Sequence, residues 1–152
     1  MNKEPSGNII FDTGTLLEIV SGSALGAYAK DLLKSSTVLA FTNELHLGEL
    51  RYLICRKSGE KESEQALKNL TQSGYLRIAQ FGEFVNQAAD MKCRRSVAFA
   101  DCFALAMGET MHSPVLFATR EAELLKEIKK QPFRTNVIFL DELARKETSR
   151  GN

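Results

Sequence analysis

Short apolar runs alternate with longer amphipathic stretches along the chain. The apolar runs predict five strands, at residues 8–12, 37–41, 75–80, 115–118 and 137–140. Apolar positions at helical spacing predict helices at residues 24–35, 43–57, 61–73, 82–93, 97–111 and 120–130. Strands that alternate with helices favour a mostly parallel sheet, and right-handed crossovers place helices on both of its faces. The pattern therefore predicts an α/β fold, a three-layer α/β/α arrangement around about five strands.

The length of 152 residues fits one domain. We expect this domain at residues 1–144, followed by a charged, flexible tail at residues 145–152. The first ten residues lack the apolar segment of a signal peptide, and no apolar run reaches the roughly 18 residues that would suggest a membrane span. These features predict a cytoplasmic protein without membrane association.

Composition excludes some kinds of site. The formal net charge is +1, so any surface that binds nucleic acid must be local. The cysteines Cys55, Cys93 and Cys102 have no CxxC spacing, and only two histidines are present. We expect reduced core cysteines and no zinc site built from histidine and cysteine.

Two acidic residues stand in unusually apolar surroundings. Asp12 ends the first predicted strand, and no other charge lies between Glu4 and Glu18. Asp101 is the only charged residue from position 96 to 108. Because a lone buried carboxylate is costly unless a cation or hydrogen-bond donors compensate it, these positions suggest a metal site.

Sheet topology predicts where such a site lies. Ligands of parallel α/β sheets bind beyond the carboxyl ends of the strands. Asp12 lies at the end of the first strand, and Glu121 follows the fourth strand, with Glu123 as an alternative. Glu49 and Asp101 lie on predicted helices that could reach the same edge. Carboxylate clusters select Mg²⁺ or Mn²⁺ and commonly support phosphodiester hydrolysis.

Other side chains extend this candidate site. Hydroxyl groups that could hold water or a phosphate oxygen belong to Thr13, Thr15 and Thr119. Arg94 and Arg95 precede the Asp101 helix and could contact an RNA backbone. We expect His46 to have a surface or helix-capping role rather than a catalytic one.

Four stretches together resemble the motifs of the PIN domain, a family of small metal-dependent ribonucleases. They are residues 9–17 with Asp12, residues 44–53 with Glu49, residues 96–106 with Asp101, and residues 115–125 with Glu121 and Glu123. The resemblance covers residues 8–141. It implies an endoribonuclease that uses Mg²⁺ or Mn²⁺, most often the toxin of a toxin–antitoxin pair (VapC-like). It also implies a small antitoxin partner and a homodimer.

Two departures from the family pattern keep alternatives open. Gly14 stands where the family often has serine, and Glu121 or Glu123 replaces the usual aspartate of the fourth motif. These changes would suit a PIN-like module that binds RNA or protein without cleaving. The opening Phe11-Asp12-Thr13-Gly14 is also similar to that of haloacid-dehalogenase phosphatases, but Gly14 replaces their second aspartate.

Overall fold

The computed structural model describes residues 4–151. In chain order its elements are β1 (Gly7–Phe11), α1 (Thr13–Ser21), α2 (Ala24–Lys34), β2 (Val38–Asn43), α3 (Glu44–Ser58), α4 (Glu60–Gln72), β3 (Leu76–Ala79), a 3₁₀ turn (Phe81–Phe84), α5 (Val85–Arg94), α6 (Phe99–Met111), β4 (Val115–Phe117), α7 (Ala122–Lys130), β5 (Val137–Phe139) and α8 (Leu140–Arg150).

The five strands form one parallel sheet in the order β3-β2-β1-β4-β5. Strand β1 is central, and the chain runs from it to β2 and β3 on one side and later to β4 and β5 on the other. The junction of β1 and β4 is therefore the switch point of the sheet, where parallel α/β proteins bind ligands. The predicted three-layer α/β/α fold is confirmed.

Each face of the sheet carries its own apolar core. Ile10 of β1 packs with the buried side chains of α5 and α6 on one face. Its neighbours Ile9 and Phe11 point to the other face, where α1, α2, α3 and α4 contribute buried side chains. This alternation follows from the two-residue period of a strand, and burial on both faces explains the continuous apolar run at 9–11.

Two helices differ from the sequence-based prediction. Helix α1 follows β1 directly, where no element was predicted. The chain predicted to form a flexible tail from residue 145 is instead helical up to Arg150. Helix α8 is fixed at its start by Leu140, which is fully buried in the second core. Because its first turn is anchored in the core, α8 forms although the rest of its sequence is strongly polar.

The cysteines are free thiols, but only Cys102 is buried, and Cys93 is exposed. The expected core position is therefore wrong for Cys93. No helix in residues 4–151 has both the length and the apolar character needed to cross a bilayer.

Helices α1 and α2 approach each other closely at Gly26. A Cβ atom at this position would overlap the backbone carbonyl of Glu18. The hydroxyl of Ser23, the N-cap of α2, donates to the carboxylate of Glu18 and accepts from the Gly26 N–H. Glycine is thus required for the contact between the two helices.

Candidate active site

Asp12 connects the central strand to α1. It is the N-cap of α1, and its Oδ1 accepts a hydrogen bond of 2.9 Å from the Thr15 N–H. Only 7% of the residue is exposed. Burial raises the pKa of Asp12 to about 6, although hydrogen bonds from Thr15 and Gly14 oppose the shift and Glu121 adds to it. The structure thus places a costly carboxylate at the switch point of the sheet.

Asp101 lies in the first turn of α6 and is partly buried. Burial raises its pKa to about 7, and the negative charges of Asp12, Glu121 and Glu49 contribute in that order. Asp101 is therefore within electrostatic reach of the other three acids predicted from sequence, and Asp12 is also within reach of Glu121. Like charges that repel in this way favour a bound cation.

The structure distinguishes Glu121 from Glu123. Glu121 is the N-cap residue of α7, and its charge acts on both Asp12 and Asp101. Glu123, in the first turn of α7, lines a surface pocket with Lys92 and Arg94. Of the two, Glu121 is the residue associated with the acidic cluster.

The three predicted hydroxyl groups have different surroundings. The Thr15 hydroxyl donates to the Leu116 carbonyl of β4 at 2.9 Å, so it fixes the Asp12 loop to the neighbouring strand. The Thr13 hydroxyl lies 2.9 Å from His46 Nδ1 in the interior. Thr119 is exposed after β4. Thr13 and Thr15 therefore support the site from inside the protein, and only Thr119 faces solvent freely.

The two candidate RNA-binding arginines also differ. Arg94 is exposed. Arg95 is directed inward: its Nε forms a 3.0 Å ion pair with Glu127, its Nη2 donates to the Glu127 and Gln131 carbonyls, and its guanidinium stacks 4.0 Å from the centre of the Phe133 ring. These intramolecular partners occupy the guanidinium of Arg95, and its contact with RNA stays a prediction.

Sequence analysis missed the position of His46, which is 1% exposed rather than on the surface. Burial lowers the pKa of His46 to about 4, so the ring is neutral at ordinary pH. Its backbone N–H is capped by the Asn43 side chain at 3.1 Å. The buried residues of α3 are His46, Leu50 and Ile54, and this four-residue spacing was the available sequence signal for burial.

Two further acids at this edge were also missed. Asp141 and Glu142 begin α8, directly after β5. Arg120 pairs with both, at 3.9 Å and 3.0 Å, and the Asp141 N–H donates to the Ala118 carbonyl. These contacts neutralise the two acids and hold the loop that leads to Glu121.

The donor set can be tested against the expected cation. Within residues 4–151, no three Asp, Glu, His or Cys side chains are grouped closely enough to hold an ion by themselves. Magnesium-type ions commonly keep several waters and use only one or two protein carboxylates, so a closed cage is not required. Burial, with a smaller contribution from neighbouring negative charges, raises the pKa values of Asp12 and Asp101, and a bound cation would offset both effects. The residues fit a hydrated hard cation.

The sheet is parallel, and Asp12 directly follows its central strand at the switch point, where domains of the α/β class bind ligands. The PIN domain model matches residues 9–131, most of the chain. The chain belongs to the PIN domain family.

Solved structures share the fold. VapC20 of Mycobacterium tuberculosis, a toxin that cleaves the sarcin–ricin loop, has a TM-score of 0.63 and 21% identity, with 78% of this chain and 94% of that chain covered. VapBC2 of Rickettsia felis, bound to a promoter DNA fragment, has a TM-score of 0.64 and 11% identity, with coverage of 88% and 98%. A toxin–antitoxin complex from Klebsiella pneumoniae has a TM-score of 0.59 and 15% identity, with coverage of 87% and 97%. No curated protein matches the chain by sequence.

Proposed function

We propose that this protein is a metal-dependent endoribonuclease that hydrolyses RNA phosphodiester bonds with Mg²⁺ or Mn²⁺. The observation that carries the proposal is the electrostatic grouping of Asp12, Asp101, Glu121 and Glu49 in a PIN domain. Nuclease activity is expected at the level of this family, and Asp12 directly follows the central strand at the sheet edge where ligands of parallel α/β folds bind.

Each acid would have a distinct place in the reaction. Asp12 and Asp101, whose pKa values burial raises, would hold the cation, with Glu49 and Glu121 as further ligands directly or through water. Such a cation would lower the pKa of an attacking water and neutralise charge on the phosphate. Thr119, exposed after β4, would orient a water or phosphate oxygen.

Contacts with the RNA strand would come from outside the acidic cluster. Arg94 would bind the RNA backbone by a phosphate contact, which positions a strand without reading its sequence. Its side chain is exposed at the end of α5, in the segment that leads to α6 and Asp101.

We also propose a biological role as the toxin of a type II toxin–antitoxin pair in the cytoplasm. Similar folds occur in a toxin–antitoxin complex from Klebsiella pneumoniae and in VapBC2 of Rickettsia felis. A small antitoxin protein would then be the partner, and the toxin would act as a homodimer. Co-expression with the product of a neighbouring small gene, followed by size-exclusion chromatography with light scattering, tests both assemblies.

The direct test is cleavage of end-labelled structured RNA by purified protein in Mn²⁺, Mg²⁺ or EDTA. Asp12→Asn and Asp101→Asn remove one carboxylate charge each. Glu64→Gln is the matched control, since Glu64 is an exposed acid paired with Arg51 on the surface. We expect metal-dependent cuts with the wild type and Glu64→Gln and none with the other two. Cleavage by Asp12→Asn at the wild-type rate would refute the assignment of the site.

A second candidate is a module that binds RNA or protein without cleaving. It is favoured by the lack of a closed ligand group among residues 4–151. Filter binding of the same RNA by folded protein, without cleavage in any metal, would support it. The phosphatase alternative would require an aspartyl-phosphate at Asp12, and PIN family membership gives it no support.

A further inference from the structure

A buried polar contact at the start of α3 has no part in the chemistry proposed above. Asn43, fully buried, caps α3 by accepting from the His46 N–H, and its Nδ2 donates to the Met107 sulfur at 2.9 Å. The His46 ring lies across from α1, with Nδ1 2.9 Å from the Thr13 hydroxyl. The first turn of α3 is thereby connected to both α6 and α1.

These three helices carry three of the four acids. Asp12 is the N-cap of α1, Asp101 lies in the first turn of α6, and Glu49 follows His46 on α3. Thr13 is the residue next to Asp12. A side chain that holds Thr13 therefore acts on the backbone that presents the Asp12 carboxylate.

We propose that His46 is a positioning residue of the acidic site, which fixes Thr13 and with it the orientation of Asp12 relative to α3. The metal and RNA chemistry of that site rests on the proposed function, but the positioning itself does not. His46 and Thr13 are far apart in sequence and come into contact because α3 packs against α1. The contact therefore connects two helices rather than stabilising one of them.

The chemistry of the pair suits this role. An apolar side chain could fill the same space without burying an unpaired nitrogen, whereas His46 Nε2 is buried with no hydrogen-bond partner. A hydrogen bond restricts distance and angle, which apolar packing does not. The Thr13 hydroxyl can donate or accept, so the bond forms with either neutral tautomer of the ring.

The contact acts together with the second anchor of the same loop. The Thr15 hydroxyl holds the loop to Leu116 of β4, while Thr13 holds it to α3 through His46. Asp12 directly precedes these two anchors in the chain, and its carboxylate accepts from the Thr15 N–H. Because sites of this kind require placement within about 0.5 Å, loss of one anchor has measurable consequences.

The experiment uses His46→Ala and Thr13→Val, which remove the hydrogen bond from either side, and Thr13→Ser, which keeps the hydroxyl. Ile54→Ala is the control, since Ile54 is buried on the same helix in the apolar core. NMR measures amide hydrogen exchange at Thr15 in the metal-free proteins. We expect Thr15 exchange about tenfold faster or more in His46→Ala and Thr13→Val. In Thr13→Ser and Ile54→Ala we expect no change in Thr15 exchange beyond that caused by any change in overall stability.

Calorimetry of Mn²⁺ binding gives the second measurement. Residues that orient metal ligands without touching the metal typically cost 10–100-fold, roughly, in affinity. We expect that range for His46→Ala and Thr13→Val, with the double variant no weaker than either single variant. If His46→Ala fails to fold, Thr13→Val tests the same bond.

The outcomes distinguish the positioning role of His46 from the proposed ribonuclease function. If Thr15 exchange and Mn²⁺ affinity in the two bond-removing variants match those of Ile54→Ala, His46 is a core residue only and the inference is wrong. If the wild type binds no Mn²⁺ and cleaves no RNA, the proposed function fails, and Thr15 exchange still decides whether His46 holds the Asp12 loop.

Discussion

Replacing Asp12 with asparagine should stabilise the metal-free protein at neutral and alkaline pH. The carboxylate is buried at the end of β1, and its pKa rises from 3.8 to about 6. Asparagine keeps an oxygen that can accept from the Thr15 N–H and is as good an N-cap as aspartate. The substitution therefore removes the buried charge while retaining the local structure.

The size of the effect follows from the pKa shift. Between about pH 4 and pH 6 the folded protein binds more protons at Asp12 than the unfolded chain does, so stability falls as pH rises. The contribution is fully present below the unfolded pKa and lost as pH rises through the folded pKa. A shift of about two units at about 1.4 kcal/mol each gives a penalty of about 3 kcal/mol above pH 6.

Urea unfolding in EDTA at pH 8 and pH 4 measures this difference. We expect Asp12→Asn to be more stable than the wild type by about 3 kcal/mol at pH 8 and by less than about 1 kcal/mol at pH 4. Glu64→Gln, which changes an exposed carboxylate, should show no such pH-dependent gap. The reasoning would be refuted by a stability difference between Asp12→Asn and the wild type that is equal at both pH values. It would also be refuted by a wild type that is more stable than Asp12→Asn at pH 8.

Metal should nearly cancel this difference in stability at pH 8. Mn²⁺ at about 100 times its Kd adds about 2.7 kcal/mol to a protein that binds it only when folded. The wild type should gain this stabilisation and Asp12→Asn should not.

Three further predictions use paired positions or a close contact. Arg94→Ala should lower the slope of log RNA affinity against log salt concentration by about one and leave Tm unchanged. Arg95→Ala should lower Tm, because it removes an ion-pair partner of the buried Glu127 carboxylate. Glu121→Gln should weaken Mn²⁺ binding by about tenfold or more in calorimetry, whereas Glu123→Gln should change it by less than about twofold. Gly26→Ala should destabilise the protein by about 1–3 kcal/mol in urea unfolding, since its Cβ overlaps backbone that can move only if α1 and α2 separate.

Sequence reasoning succeeded where one local pattern decides the structure. Apolar runs with a strand-like composition gave the sheet, and the rule that ligands bind beyond the carboxyl ends of strands indicated the edge that contains Asp12 and Glu121. Helix α1 was missed because Thr13-Gly14-Thr15 has low helix propensity. It forms because Asp12 caps it and because Leu16 is fully buried.

Long-range pairing explains the other differences. The burial of His46 depends on how α1 packs against α3, and the inward direction of Arg95 depends on Glu127 in another helix. The residues that flank His46 and Arg95 in sequence do not identify these distant partners. Glu121 and Glu123 are likewise distinguished by the orientation of α7 in the fold, which the local sequence does not determine.

The central place of β1 in the sheet has a consequence for synthesis. Asp12 leaves the ribosome before β4 does, yet its strand pairs with β4, and the Thr15 hydroxyl that steadies its loop needs the Leu116 carbonyl. Asp101 and Glu121 also belong to the later part of the chain. A nascent chain that ends before β4 therefore holds the first acid without the strand that completes its surroundings, and folding of the acidic edge waits for a contact of long sequence separation. The charged edge therefore cannot assemble until β4 and the start of α7 have been made.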